Sequence, residues 1–236
     1  MLACLGFLAC AGAGRQQEQE YAALREKVKT IAVARISSST HWLSHEQVRT
    51  AFEGRVSKRL AAAGVEVVPV SAWDELWTRY ADDVGGVFDA QTGEADQEKF
   101  EVVRDAVIRE LVESRRVDAF LYVQVKLVDS FGVKGKPTVC GEDVDVYWPG
   151  GWKDPGLGEA ASLVRSACLT GLLVDAKGET LSGLQAPLVG VETYDEQTRA
   201  VRPSDEILAD PQVLDHATSI VLEAFAPSPS ARTDER

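Results

Sequence analysis

The sequence predicts an α/β fold: a mixed β-sheet with helices packed on it, in the order β-α-β-α-α-β, then a β-hairpin and a C-terminal helix. Three observations carry this. Short β-branched runs alternate with helical stripes of apolar residues. Val117 to Asp129 alternates, with Leu121, Val123, Val125 and Leu127 on one side and Tyr122, Gln124 and Lys126 on the other. Two further apolar runs flank Ala176-Lys177-Gly178, where the glycine suits a left-handed turn. Alternation implies one sheet face under helices and one partly solvated or covered by something else.

The first strand is Thr30 to Ile36 (TIAVARI). Ser44 opens the first helix. It stands three residues before Gln47, a capping box, and Val48, Phe52, Val56 and Leu60 follow at i+4 spacing until Gly64 ends the helix. Val65 to Val70 is a second strand, with Pro69 marking an edge or strand end. Ser71 is the expected cap of a second helix carrying Trp73, Leu76, Trp77 and Tyr80. A glycine-containing loop, 82–95, leads to a third helix, about Asp96 to Ser114, with Phe100, Val103, Val107 and Leu111 on its stripe. After the alternating strand, residues 130–161 form an insertion rich in Gly and Pro. The hairpin strands are Leu163 to Asp175 and Glu179 to Val189. Asp210-Pro211 opens the last helix, with Asp as N-cap and Pro at N1. The expected organisation is a signal or lipoprotein segment over 1–14, a tether over 15–29, one domain over 30–226 and a disordered tail over 227–236.

Composition narrows the function. A net charge of −12 argues against nucleic acid, whose phosphates need clustered Lys and Arg, and against a polybasic membrane patch. Met1 to Gly14 carries no charged residue and gives way abruptly to Arg15-Gln16-Gln17-Glu18. An apolar run of this length is too short to span a bilayer, which takes about 20 residues. It has the form of a signal peptide ending in small residues. Two processing sites compete. Ala11-Gly12-Ala13 fits ordinary cleavage, and Phe7-Leu8-Ala9-Cys10 resembles a bacterial lipobox in which Cys10 would carry the lipid. Ala11 rather than Asp after Cys10 points to the outer membrane.

The cysteines fit export. Cys4 would leave with the signal and Cys10 would be acylated, so Cys140 and Cys168 remain as an even pair in an oxidising space. The expectation is a Cys140–Cys168 disulfide, the alternative two buried thiols.

No catalytic or metal motif is expected. His41 and His45 are four apart, but Ser44 caps the helix, so they do not share a helical face. His216 stands alone on the last helix. Asp89 to Glu94 reads as a turn rather than a calcium loop. Glu142, Asp143 and Asp145 read as a solvated loop rather than an acid–base pair. No cofactor is implied. The most unusual feature is Trp148-Pro149-Gly150-Gly151-Trp152 in the insertion. Two Trp around a Pro-Gly-Gly turn suit a partner contact, or alternatively a cap on the domain's own core.

Leu172-Leu173-Val174-Asp175-Ala176-Lys177-Gly178-Glu179-Thr180-Leu181 resembles the "strand, D-x-k-t-G-e, strand" hairpin of a group of envelope lipoproteins and related domains. The group includes the curli-secretion lipoprotein, the lipoprotein activators of penicillin-binding proteins and the N-terminal domain of the Tol β-propeller protein. Lys29 to Val33 resembles the family's first strand, Gly64 to Val68 its "G-x-x-v-v" unit, and Val117 to Val123 its "G-A-D-y-l-l" strand. Arg116-Val117 stands where the family has Gly-Ala, and the Trp-bearing insertion lies outside the common pattern. The resemblance implies an α/β envelope module without catalytic residues. The function expected is a lipid-anchored binding or assembly module with an envelope protein partner. The alternative is a soluble periplasmic binder of glycan or small ligand through the Trp148–Trp152 loop.

Overall fold

The computed structural model describes residues 7–89, 91–132, 138–143, 162–194 and 199–226. It contains helices α1 (Phe7–Lys27), α2 (His45–Ala62), α3 (Val70–Asp83), α4 (Gln97–Arg115) and α5 (Pro211–Val221). The strands are β1 (Thr30–Ser38), β2 (Glu66–Val68), β3 (Ala119–Gly132), β4 (Thr138–Val139), β5 (Glu142–Asp143), β6 (Ser162–Asp175), β7 (Thr180–Tyr194) and β8 (Arg199–Val201). Six strands form one mixed sheet in the order β2-β1-β3-β6-β7-β8. β1 runs parallel to β2 and β3, and the remaining pairs are antiparallel. The expected α/β class and element order are therefore present.

Local chemistry sets several element ends as anticipated. Ser44 accepts from the Gln47 amide while the Gln47 side chain accepts from the Ser44 amide, completing the capping box of α2. Asp210 caps α5 by accepting from Gln212 N at 2.8 Å, with Pro211 in the first turn. Gly178 takes φ 82° in the β6–β7 turn, a conformation that disfavours any residue with a Cβ.

Other ends differ. The expected cap Ser71 lies inside α3, which begins at Val70 with Pro69 at the N-cap and no side-chain cap. Burial of Val70 as the first helical residue draws the turn forward and shortens β2 to Glu66–Val68. β7 continues past Val189 to Tyr194, because Pro187 falls at a register shift where its missing amide is tolerated. β8 was too short to show alternation. The segment expected as a tether is helical, and its end belongs to the domain. Tyr21 and Leu24 pack on the core, and Arg25 Nη1 donates to Ala224 O at 2.9 Å.

The alternation of β3 divides two cores. On the first face, Leu121, Val123 and Val125 meet Val48, Phe52, Val56 and Leu60 of α2 and Leu214, Ala217 and Val221 of α5. Gly171 of β6 permits the close approach of α5, since a Cβ there would sit 3.0 Å from the Val221 side chain. On the second face, Phe120 and Val174 lie under Trp73 of α3 and Val103, Val107 and Leu111 of α4.

Candidate functional site

α3 and α4 cover only one end of the second face. The other end carries the β4–β5 arm, whose Val139 and Cys140 pack on Val128 and Cys168. Between these covers lie Tyr122, Gln124, Thr170 and Leu172, which border a shallow depression with Arg35 and Ser37. Leu172 is 37% exposed, a large apolar side chain open on the middle of a sheet.

Where this open strip meets α3 there is a cleft of about 280 Å³. Its walls are aromatic. Trp77 packs edge-on against Phe100 at 4.7 Å between centroids, and Trp73 lies 6.0 Å from Tyr122 and 6.1 Å from Trp77. Phe88 lines the same cleft and is 62% exposed. Arg35, Arg104 and Asp74 supply the charges.

The backbone explains why Arg35 is there. β1 and β3 slip register between Val33 and Arg35, a bulge. Ala34 and Arg35 consequently line the same cleft, although consecutive strand residues ordinarily point to opposite faces. Among the described residues Arg35 makes no hydrogen bond and no ion pair within 4 Å. Arg104 of α4 uses Nε and Nη2 on Asp105 at 3.0 and 2.9 Å. Asp74 holds Arg49 Nη1 at 3.1 Å, and burial raises its carboxyl above the ordinary range against the pull of Arg49. Burial likewise pushes the Tyr122 hydroxyl up, so at neutral pH it keeps its proton and can donate a hydrogen bond.

The expected site residues fall as follows. Cys140 and Cys168 are joined in a disulfide, with Cα atoms 6.8 Å apart. Cys10 lies on the backbone of α1. Trp148, Trp152 and Asp145 lie outside the described residues. Glu142 pairs with His216, and Asp143 accepts from Thr138 Oγ1 at 3.0 Å. His45 Nδ1 accepts from Ser38 N at 3.2 Å and His41 packs on Trp42, so the two histidines do separate jobs. Asp89 Oδ1 accepts from the Gln91 and Thr92 amides, both at 2.8 Å, which makes that segment a turn. No group of three potential metal ligands occurs among the described residues.

The cleft is not legible in the sequence, where Trp73 and Trp77 are simply carried by a predicted helix and Phe100 lies on a helical stripe. The available signal was Arg35, a lone charge inside the apolar run TIAVARI.

No family model matches the chain, and no curated protein matches it by sequence. Among solved structures it is similar to the PelC dodecamer from Paraburkholderia phytofirmans, at 14% identity and a TM-score of 0.36, over 86% of this chain and 90% of that one. It is also similar to the LpoB C-terminal domain from Salmonella enterica, at 11% identity and a TM-score of 0.31, over 73% and 95%. A neuraminyllactose-binding hemagglutinin homolog from Helicobacter pylori is similar at 9% identity and a TM-score of 0.35, over 86% and 87%. Similarity this low carries no functional argument.

Proposed function

We propose that the chain is an exported, non-enzymatic binding or assembly module of a bacterial cell envelope, held on the outer membrane by lipid on Cys10 and working with an envelope protein. The observation that carries the reading is the Cys140–Cys168 disulfide, because such bonds persist in oxidising compartments and are rare in the cytosol. The lipobox-like Phe7-Leu8-Ala9-Cys10 and the lipoprotein-like β6–β7 hairpin support it.

The α1 geometry gives the reading a physical form. Tyr21, which is packed on the core, stands eleven positions after Cys10, and a helix rises about 1.5 Å per residue. The anchored residue would stand roughly 16 Å from the domain on a helix rather than on a flexible linker. Glu142 and Asp143, the carboxylates closest to a catalytic reading, are engaged in holding the arm. Trp148 and Trp152 remain our proposed partner contacts.

A second reading, a soluble periplasmic binder of a small ligand, is favoured by the aromatic cleft. Fractionation separates the two. We expect the full chain in the outer-membrane fraction and a Cys10→Ala variant among soluble proteins. Wild-type protein entirely in the soluble periplasm supports the second reading, and wild-type protein entirely in the cytoplasm overturns both.

A further inference from the structure

The cleft beside Arg35 combines two properties that seldom meet by accident. Its walls are ring faces and edges, with Phe88 exposed at the rim, so it offers apolar contact to a flat group. Its charged lining is two guanidinium groups and one carboxylate, in a chain whose net charge is −12. The carboxylate, Asp74, holds Arg49 by an ion pair and also feels the charge of Arg35, without a hydrogen bond to it. Arg35 makes no hydrogen bond or ion pair among the described residues, and Arg104 keeps Nη1 free of any hydrogen bond among them. Guanidinium donors match carboxylates in geometry, and such bonds are roughly twice as strong as neutral ones.

We propose that this cleft binds an aromatic carboxylate, its ring against the wall of Trp77, Phe88 and Phe100 and its carboxylate on Arg35 and Arg104. At about 280 Å³ the cleft sits near the lower end for ligand pockets, which suits a single one- or two-ring group. The chemistry has two sources: a free aromatic acid, or a polypeptide ending in an aromatic residue. The argument for the cleft uses neither Cys10 nor Trp148 and Trp152, so this inference goes beyond the envelope-module reading and fails separately from it.

Calorimetric titration of the whole protein tests it. The probes are 2-naphthoate and N-acetyl-phenylalanine, each beside its neutral carboxamide. We expect at least one acid to bind in the millimolar range or tighter, about tenfold or more ahead of its amide, as charge-assisted bonds predict. Binding of naphthoate alone identifies a free acid, and binding of N-acetyl-phenylalanine points to a chain terminus. Arg35→Gln and Arg104→Gln should each abolish most of the acid preference. Phe88→Ala should weaken acid and amide alike, because the ring contact does not depend on charge. Phe88 is exposed, so its truncation leaves the fold intact, and circular dichroism verifies this for each variant. Failure of both acids to bind, equal binding of acid and amide, or an acid preference unchanged in both arginine variants overturns the proposal.

Discussion

Glu142 and His216 meet at 3.0 Å, although Glu142 belongs to an arm packed on one face of the sheet and His216 to a helix packed on the other. The pair therefore reaches around the sheet. Two residues earlier the same arm is tied to β6 by Cys140–Cys168. One tie is covalent and the other is a half-exposed ion pair, and they differ greatly in strength.

The disulfide closes a loop of sequence separation 28, which the chain-entropy model values at roughly 3–4 kcal/mol. The histidine–carboxylate contact has side-chain exposures of 59% and 41% and is an ion pair only when the imidazole is protonated, so it contributes at most about 0.2–1 kcal/mol. We predict that Cys140→Ser/Cys168→Ala lowers unfolding stability several-fold more than His216→Ala. In the protein without the disulfide the cost of His216→Ala should shrink towards zero, because an untethered arm no longer presents Glu142. Urea unfolding of the four proteins checks this. An undiminished His216 effect would mean that the arm is held by other contacts.

Arg116 ends α4 in the left-handed conformation, at φ 53° and ψ 41°. Glycine is the residue that suits this position. We predict that Arg116→Gly raises stability by about 0.5–1 kcal/mol, and that Arg116→Val lowers it. Thermal unfolding gives both signs. Destabilisation by glycine would mean that the Arg116 side chain does more than tolerate its backbone.

Acid should weaken the fold below about pH 4. Among the described residues, hydrogen bonds hold four carboxyls below their ordinary range: Asp129 through Arg165, Glu110 through Tyr80 and then Arg79, Asp89 through the Thr92 and Gln91 amides, and Asp175 through Glu179 and Lys177. A depressed carboxyl adds stability above its unfolded pKa, about 3.9 for Asp and 4.3 for Glu, and loses it as pH falls through the folded value. Asp74 is raised by burial and acts oppositely: its cost at neutral pH disappears on protonation. We predict that the hydrogen-bonded carboxyls dominate and that stability falls towards acid. Urea midpoints from pH 7 to pH 3 measure it, and Asp129→Asn should flatten the profile. A rising midpoint below pH 4 would show that burial outweighs hydrogen bonding.

Much of the fold was legible because it is local. The Ser44–Gln47 box, Asp210-Pro211, Gly178 and the alternation of β3 are each decided by residues within a few positions of one another. What escaped is decided at a distance. β8 exists because β7 continues past Val189 and offers an edge, which Arg199-Ala200-Val201 cannot announce alone. Val70 joins α3 because a core receives it. Lone His216 gains its partner only because the arm crosses to α5. The aromatic cleft was hidden for the same reason. Trp73 and Trp77 are core-like by spacing, and the bulge that brings Arg35 beside them is a property of the β1–β3 pairing.

The proposal that the chain folds in an oxidising envelope is tested most directly by the state of two thiols. Intact bacteria expressing the full chain are treated with an alkylating reagent at lysis, and the protein is digested without reductant and mapped by mass. We expect one linked species containing Cys140 and Cys168, separated only by reduction. Both cysteines recovered as alkylated free thiols would contradict the proposal.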